Sequence, residues 1–447
     1  MIQGQNTLGI GRRRFHAYPQ YKDSGIGWLG KVPASWQICA TKRRFDIFLG
    51  KMLQPEPTSA NDLRVPYLKA TNIQWESVSL SSLPTMWASE HEIQTDQVAV
   101  GDLLVCEGGE VGRAAILSQI PEEPTIIQNA LHRVRSQSEM LRFLMYLLEV
   151  SASRGWLDVE CNKATIQHFT RDKFASLGIA LPSHEEQRRI VSFLDRETAQ
   201  IDALIKKNER FMELLQEKRT ALITHAVTKG LDPTVSMKNS GVEWLGAIPA
   251  HWAIESNKRL FVNSDLRSDY GDEELLTVSH LSGVTRHSEK NVTMTDPESY
   301  EDYKICRAGE LAINTMWAWM GALGIARENG IVSPSYNVYA LTTNSIHPRY
   351  YDYLCRTPLY VAELTRYSKG VWKSRLRLYP DGFFEISTPL PPMKEQKLIV
   401  EQLDKSAHEI DSLLVTIRRA LGYLREYRTA LISATVTGKI DVQYGIT

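Results

Sequence analysis

Hydrophobic residues recur at alternating spacings of three and four in two long stretches of the chain. The first stretch, residues 184–228, contains no Pro or Gly; it follows Pro182, carries Glu185 and Glu186 in its first turn and ends before Gly230. These are signals for the start and the end of one helix. The second stretch lies 209 residues further along and has the same pattern. The sequence therefore predicts two helices of about 45 residues, each roughly 68 Å long.

The spacing within both stretches is that of a coiled coil. Counting from Gln187, eight of the twelve heptad core positions are apolar in the first stretch, and nine of twelve are apolar in the second. Such a period over six heptads predicts that the helices pack against each other, with the polar Asn208 fixing their register. The alternative is that each helix belongs to the core of its own domain. The contact positions that we predict are Leu194, Ile201, Ile205, Asn208, Met212, Leu215, Leu403, Ile410, Leu414, Ile417, Leu421 and Leu424.

An internal repeat frames the two helices. Residues 23–36 return as residues 239–252, with eight of fourteen positions identical, two tryptophans among them. A Leu-Pro-x-x-x-Glu-Gln segment leads into each long helix, at residues 181–187 and 390–396. Two units related by a pseudo-two-fold axis would place the helices antiparallel and bury both apolar stripes.

The stretches between the repeated ends, residues 37–180 and 253–389, match each other poorly. We expect a mixed α/β domain in each, which makes the fold class α+β: two pseudo-symmetric mixed α/β domains joined by a long antiparallel two-helix coiled coil. A gene duplication whose loops drifted is the simpler explanation of the mismatch. Two diverged recognition domains on one repeated frame explain more of the pattern.

Composition limits the function classes. A chain of 447 residues with 43% hydrophobic and 23% charged residues is typical of a globular protein of two or three domains. Its net charge is zero, so any nucleic-acid surface must be a local patch. Neither a run of eighteen apolar residues nor a leader with an apolar segment is found, which predicts a cytoplasmic protein without membrane contact. The five cysteines form no CxxC pair, so no metal site is predicted from them.

The segment Ser-Gly-x-x-Trp-Leu-Gly-x-x-Pro-x-x-Trp occurs twice, and each copy is followed by Leu-Pro-x-x-x-Glu-Gln and a long heptad helix. With these features the chain resembles the specificity subunits of type I restriction-modification systems over nearly its entire length. The resemblance implies two target recognition domains, each reading one half of a split double-stranded DNA site. It further implies that the helices dock two methyltransferase subunits, which hold S-adenosylmethionine, and that restriction or translocase subunits can join. No cofactor is expected in this chain.

The resemblance also implies a division into four segments. They are residues 1–180, with an N-terminal extension, the repeat motif and the first recognition domain; 181–236, the first long helix; 237–389, the repeat motif and the second recognition domain; and 390–447, the second long helix. Two rigid readers on such a frame would recognise two half-sites at a set spacing.

Basic residues suited to DNA contact concentrate in residues 366–377, which contain five cations and no acid, interleaved with Tyr367 and Trp372. This mixture favours phosphate contact with stacking, and a solvated basic face is the alternative. Cations at residues 42–44 and 258–259 recur in both copies and indicate either backbone clamps or a repeated strand edge. Arg and Asn side chains in the first domain are candidates for base contact. The DNA-binding residues that we predict are Lys42, Arg43, Arg44, Arg113, Asn129, Arg133, Arg135, Lys258, Arg259, Lys369, Lys373, Arg375 and Arg377.

Motifs for catalysis are missing from the sequence. It has no methyltransferase cofactor loop, no GxxxxGK[ST] segment and no paired histidines of a metalloprotease helix. Residues 107–112 are rich in glycine, but their spacing predicts a turn between strands. We therefore expect a non-catalytic subunit. The competing hypothesis is a coiled-coil assembly or scaffold protein whose globular domains bind protein.

Overall fold

The computed structural model describes residues 7–10, 13–119, 121–161, 168–289, 299–372 and 375–443. The described residues form two compact units: the first comprises those up to Lys207 together with those from Arg419 onward, and the second comprises those within Asn208–Arg418. Each long helix therefore contributes one half to each unit. The division into four segments is a different partition of the chain and stays a prediction.

The first unit is built from short strands and five helices, the last of which continues into the second unit. Its strands are β1 Thr7–Ile10, β2 Arg13–His16, β3 Tyr21–Asp23, β4 Lys31–Pro33, β5 Gln37–Ala40, β6 Asp46–Leu49, β7 Leu63–Leu68, β8 Ile73–Gln74, β9 Ser77–Val78, β10 Thr85–Ala88, β11 Leu103–Cys106, β12 Ala114–Ile116, β13 Ile126–Ile127, β14 Leu131–Arg135 and β15 Gly178–Leu181. Its helices are α1 Glu90–Asp96, α2 Leu141–Ser153, α3 Trp156–Cys161, α4 Arg171–Ser176 and α5 His184–Lys229.

The second unit follows the same plan with fewer strands. Its strands are β16 Met237–Asn239, β17 Ala247–Pro249, β18 Ala253–Ser256, β19 Phe261–Ser264, β20 Leu276–Ser279, β21 Gly283–Arg286, β22 Lys304–Cys306, β23 Leu311–Ile313, β24 Leu323–Ile325, β25 Gly330–Val332, β26 Asn337–Leu341 and β27 Ser387–Leu390. Its helices are α6 Asn257–Leu260, α7 Pro348–Cys355, α8 Pro358–Tyr367, α9 Pro380–Glu385 and α10 Met393–Val436, which ends in the first unit.

An antiparallel four-stranded sheet lies at the centre of each unit. The strand order is β12-β11-β14-β6 in the first unit, and β24-β23-β26-β19 in the second. In both units the repeated motif forms a hairpin before this sheet, and the strand after the motif pairs with the strand before the long helix, as β5 with β15 and β18 with β27. The expected α+β class with paired long helices is confirmed. The segments that match poorly in sequence share their central sheet.

The parts added to this sheet differ. The first unit carries the three-stranded sheet β10-β7-β13, the hairpin β8-β9 and helix α1, whereas the second carries the two-stranded pairs β20-β21 and β22-β25. The glycine-rich residues 107–112 form the turn between β11 and β12, as predicted.

The long helices begin and end close to the predicted residues. Helix α5 has 46 residues and α10 has 44. Ser183 Oγ accepts a hydrogen bond from Glu186 N at the start of α5, and α10 follows two prolines. Gly230 and Gly438, just beyond the two ends, have φ of +80° and +68°, a conformation that stops a helix at little cost only when the residue is Gly.

The predicted apolar stripe is buried along both helices. Leu194, Ile201, Leu215, Leu403, Ile410, Leu414, Ile417 and Leu421 are buried, and Ile205, Asn208, Met212 and Leu424 are half-buried. Within the first unit the start of α5 and the end of α10 share one core, and Arg428 Nε lies 3.1 Å from Asp202 Oδ1. Within the second unit the end of α5 meets the start of α10, where Arg219 Nη2 lies 3.7 Å from Asp411 Oδ2. The helices thus pack antiparallel in each unit.

Candidate nucleic-acid interface

A carboxylate, buried in the first unit and half-buried in the second, joins each copy of the repeated motif to its long helix. In the first unit Trp36 Nε1 donates to Glu186 Oε1 at 3.0 Å, and in the second Trp252 Nε1 donates to Glu395 Oε1 at 3.1 Å. Glu186 also accepts from the Tyr18 hydroxyl at 2.6 Å. Burial and the neighbouring carboxylate raise the pKa of Tyr18, so this hydroxyl remains a donor. The tryptophan of one repeated segment and the glutamate of the other therefore form the same hydrogen bond in both units.

The glutamine that follows this glutamate fixes the start of another helix. Met140 N donates to Gln187 Oε1 at 3.1 Å, ahead of α2, and His347 N donates to Gln396 Oε1 at 2.7 Å, ahead of α7. Both amides also donate to a carbonyl at the start of their own long helix, that of Pro182 or Pro391. The glutamines are fully buried, and these bonds satisfy them.

An aspartate two turns further along each long helix holds the next turn of α2 or α7. Asp195 accepts from Arg142 Nε at 2.5 Å and from the Tyr146 hydroxyl at 2.7 Å. Asp404 accepts likewise from Arg349 Nη2 at 2.8 Å and from Tyr353 at 2.5 Å. Burial, and then the bond to Asp404, raise the pKa of Tyr353 to about 12. Corresponding hydrogen bonds therefore attach both β-rich regions to their helices.

The repeated basic pairs lie on one-turn helices between corresponding strands. Lys42 and Arg43 lie between β5 and β6, and Lys258 and Arg259 lie on α6 between β18 and β19; all four side chains are exposed. The alternative of a repeated strand edge is wrong, because these residues are helical. Arg44 differs from its neighbours, since its guanidinium donates to Gln37 and lies 3.8 Å from Glu139.

The basic segment of the second unit is closed at its base like a hairpin. Lys369 and Arg377 exchange backbone hydrogen bonds of 2.9 and 3.0 Å across its base. Within this segment Trp372 is 68% exposed, and Lys369, Arg375 and Arg377 are also exposed. Lys373 lies outside the described residues. Three cations around one exposed indole suit contact with phosphates and a groove wall.

The arginines predicted for base contact in the first unit are engaged inside it. Arg133 is buried and donates to the carbonyls of Thr95 and Gln97 at 2.9 and 2.8 Å, and burial lowers its pKa. Arg135 holds Asp102 with two bonds of 2.5 and 2.8 Å.

Arg113 donates to Glu110 and to the Ala70 carbonyl, each at 3.0 Å. Asn129 is half-buried and follows β13. Because each of them donates from at least one guanidinium nitrogen to a group of the fold, Arg113 and the two arginines of β14 are less suited to DNA contact than the exposed cations are. Their predicted role is untested.

The long helices also expose apolar side chains at corresponding positions. Leu204 on α5 and Leu413 on α10 are 48% and 39% exposed, and Leu214 and Tyr423, also 209 residues apart, are 45% and 64% exposed. The heptad analysis did not single these residues out, because they lie off the stripe. Their recurrence at matching positions makes them candidates for contact with a partner, although single exposed apolar residues are common on protein surfaces.

None of the helices in the described part of the chain combines the length and the apolarity needed to cross a membrane. Within the same residues, no three His, Cys, Asp or Glu side chains are grouped so that they could hold a metal ion.

Comparison with known proteins gives consistent matches. Residues 46–210 match the family model described as type I restriction modification DNA specificity domain. The putative type I restriction enzyme MjaX specificity subunit of Methanocaldococcus jannaschii is 21% identical over 93% of this chain and 96% of its own length. The type I restriction enzyme StySPI specificity subunit of Salmonella potsdam is 20% identical over 93% and 91%.

Two solved structures share the fold. One, from work on complex assembly and conformational transition of the type I R-M system, has a TM-score of 0.63 at 14% identity and covers 91% of this chain and 98% of the other. The HsdS subunit from Thermoanaerobacter tengcongensis has a TM-score of 0.51 at 15% identity, with 92% and 98% covered. The likeness extends over both units.

Proposed function

We propose that this chain is a specificity subunit of a type I restriction-modification system and that it reads an asymmetric, interrupted duplex DNA site, one half with each unit. As such a subunit it confers DNA specificity on a type I complex and is itself non-catalytic. Residues 37–180 and 253–389 are the proposed recognition domains.

The main support for an asymmetric target is that the two units share a central sheet but differ in the elements added to it. Both units have the same central sheet and the same Trp-Glu, Gln and Asp contacts to the helices. What is added to the sheet differs: a second sheet and α1 in the first unit, and two strand pairs in the second. Different loops on a common frame support two readers of different half-sites.

The proposed DNA contacts are the exposed cations. In the second unit they are Lys258, Arg259 and the hairpin residues Lys369, Arg375 and Arg377, and in the first they are Lys42 and Arg43. The recurrence of exposed basic pairs at corresponding positions supports backbone contacts at both half-sites, because phosphate contacts carry position and not sequence.

The proposed partners are two methyltransferase subunits, which would bring S-adenosylmethionine, and restriction or translocase subunits that join the same complex. The matching exposed residues Leu204 and Leu413, with Leu214 and Tyr423, support two similar docking surfaces on the helices. The complex would act in the cytoplasm, where the DNA is.

The test is selection from random duplex DNA by the chain purified with its methyltransferase. We expect one enriched motif with two unlike halves around unspecified bases, and an affinity that falls as salt rises. No enriched motif together with salt-independent binding would reject the DNA reader and favour the scaffold hypothesis, in which the β-rich domains bind protein.

A further inference from the structure

Three carboxylates surround one arginine at the end of α10, within the first unit. Arg428 donates from Nη1 to Glu149 Oε1 at 2.8 Å and from Nε to Asp202 Oδ1 at 3.1 Å, and its other terminal nitrogen pairs with Glu76. Burial alone would lower the pKa of Arg428, but these carboxylates raise it. The positive charge is fully neutralised by the protein itself.

Arg219 holds the corresponding place in the second unit, because it lies 209 residues before Arg428 just as Asp202 lies 209 before Asp411. The match between α2 and α7 is fixed by contacts: Arg142 corresponds to Arg349 through their bonds to Asp195 and Asp404. On this alignment, 207 residues apart, the position of Glu149 is taken by Arg356. Glu149 neutralises Arg428 in the first unit, whereas the corresponding residue of the second unit, Arg356, adds another positive charge beside Arg219.

Among the described residues of the second unit, no carboxylate takes the place of Glu149. Arg219 has Asp411 at 3.7 Å, and in the described part of the chain no carboxylate lies within ion-pair distance of Arg356, which donates to the Leu281 carbonyl at 2.8 Å. The Nε atoms of Arg219 and Arg356 are both inaccessible to solvent and lack a hydrogen-bond partner among the described residues. Buried donors without a partner are uncommon and require an explanation.

A cavity of about 400 Å³ opens between these side chains. Four arginines line it, the two above with Arg327 and Arg349, together with three aspartates. Two of those aspartates pair with Arg349, Asp352 at 3.2 Å and Asp404 at 2.8 Å. Asp411 is then the one remaining lining carboxylate among the described residues for Arg219, Arg327 and Arg356. The matching cavity of the first unit has the opposite balance, with Arg428 against four carboxylates, those of Glu76, Glu110, Glu149 and Asp202.

We propose that this arginine-lined cavity of the second unit, defined by Arg219, Arg327, Arg349 and Arg356, binds a small phosphate-class oxyanion, either free phosphate or the phosphate group of a nucleotide. In the second unit the oxyanion supplies the negative charge that the Glu149 carboxylate supplies in the first unit. Guanidinium groups bind tetrahedral oxyanions with paired, charge-assisted hydrogen bonds, and the cavity volume is within the range of small-molecule sites. None of the proposed DNA-contacting residues lines this cavity.

The test variant is Arg356→Glu, which recreates the arrangement of the first unit. The new carboxylate can pair with Arg219, so we expect the variant to fold and to melt no earlier than the wild type without ligand. The melting temperature of the full chain is measured with inorganic phosphate, with adenosine monophosphate and with sodium chloride at equal ionic strength. At about a hundred times the dissociation constant, phosphate is expected to raise the wild-type melting temperature by roughly 5–10 °C, and Arg356→Glu is expected to abolish the shift.

The matched control is Arg307→Glu, which makes the same charge change at an exposed arginine of the second unit away from the cavity and should retain the phosphate response. Equal responses to both phosphates identify the phosphate group alone as the ligand, whereas a larger response to the nucleotide, also lost in Arg356→Glu, identifies a nucleotide. The proposal is overturned if the wild type responds to phosphate no more than to chloride, or if Arg356→Glu responds as the wild type does. A loss of duplex-DNA affinity in Arg356→Glu without any response to small anions would also overturn it, and would assign Arg356 to the DNA surface.

Discussion

At the scale of single residues, the repeated Trp and Glu explain why the two matching segments of each unit recur together. Trp36 and Glu186 are 150 residues apart in sequence and 3.0 Å apart between Nε1 and Oε1. The sequence identifies both residues as repeated, but a repeat does not indicate which of its members touch. Their contact transmits the position of the motif to the long helix, and the same contact recurs in the second unit.

The Glu186→Ala variant should destabilise the first unit. It leaves the buried Trp36 indole and the Tyr18 hydroxyl without their acceptor, which is expected to cost about 2–3 kcal/mol. Thermal unfolding followed by tryptophan fluorescence measures this loss. The neighbouring Glu185→Ala variant is the control, because Glu185 is exposed and should tolerate the change; equal losses in both variants would show that the Glu186 bonds do not contribute.

His132 gives the first unit a pH dependence with a defined sign. Burial lowers its pKa from the ordinary 6.5, and its Nε2 donates to the Phe169 carbonyl at 2.7 Å. The unfolded chain therefore binds the proton more readily. The stability contributed by neutral His132 is present above pH 6.5 and is lost as the pH falls through the lowered pKa.

Replacing His132 by Gln, which keeps a donor for Phe169, should reduce the fall in melting temperature between about pH 7 and about pH 5. The exposed His91 on α1 provides the control, and His91→Gln should leave the wild-type profile unchanged. A His132→Gln profile as steep as that of the wild type would exclude His132 as the group responsible.

At the scale of elements, the heptad pattern predicted both long helices to within a few residues, because their apolar stripe is a local property of the sequence. Leu222 lies in the same heptad series but is not one of the predicted contact positions, and it is 39% exposed. The heptad series assumes a partner helix beside every turn, and burial of a given turn depends on what packs there. The helix ends agree because Ser183, the prolines and the glycines are themselves local signals.

The stripe can be tested with adjacent residues of α10. Leu414 is 5% exposed and Val415 is 52% exposed. We expect Leu414→Ala to destabilise the second unit by about 2–4 kcal/mol, because it leaves a cavity in the helix contact. Val415→Ala should change the melting temperature little, and a reversed order in the two melting curves would contradict the observed face.

The hairpin at residues 369–377 is an element whose role depends on exposed charge. The Arg375→Ala and Arg377→Ala double variant should weaken DNA binding and reduce the slope of log affinity against log salt by about 2, because each phosphate contact contributes about one released counterion. Fluorescence anisotropy at several salt concentrations measures the slope. Arg307→Ala serves as the control for an exposed arginine outside the hairpin, and an unchanged slope in the double variant would remove the hairpin from the DNA surface.

At the scale of the whole molecule, each β-rich domain is held to its helices by a small set of bonds, so the domains should be exchangeable. Replacing residues 253–389 with another recognition domain should change one half-site of the selected DNA motif and leave the other intact. The donor domain must keep counterparts of Arg349 and Tyr353, because Asp404 depends on them. Sequencing of the selected DNA gives the result, and a change in both half-sites would contradict independent reading.

The sequence by itself determined the long helices, the repeat and, through them, the resemblance to a family. These features follow from the spacing of apolar residues and from the identical residues of the repeated segments, both of which can be read directly from the sequence. Only the tertiary structure decided how the charges are used. Arg133 and Arg375 are alike in sequence terms, yet one is buried against carbonyls and the other is exposed on a hairpin. The similarity of the two central sheets and the replacement of Glu149 by Arg356 are also visible only in the tertiary structure. Both depend on hydrogen bonds and ion pairs between residues that are far apart in the chain. The physical reason is that a helix is specified by neighbours within a few turns, whereas the environment of a charge is specified by whichever distant groups the fold brings to it.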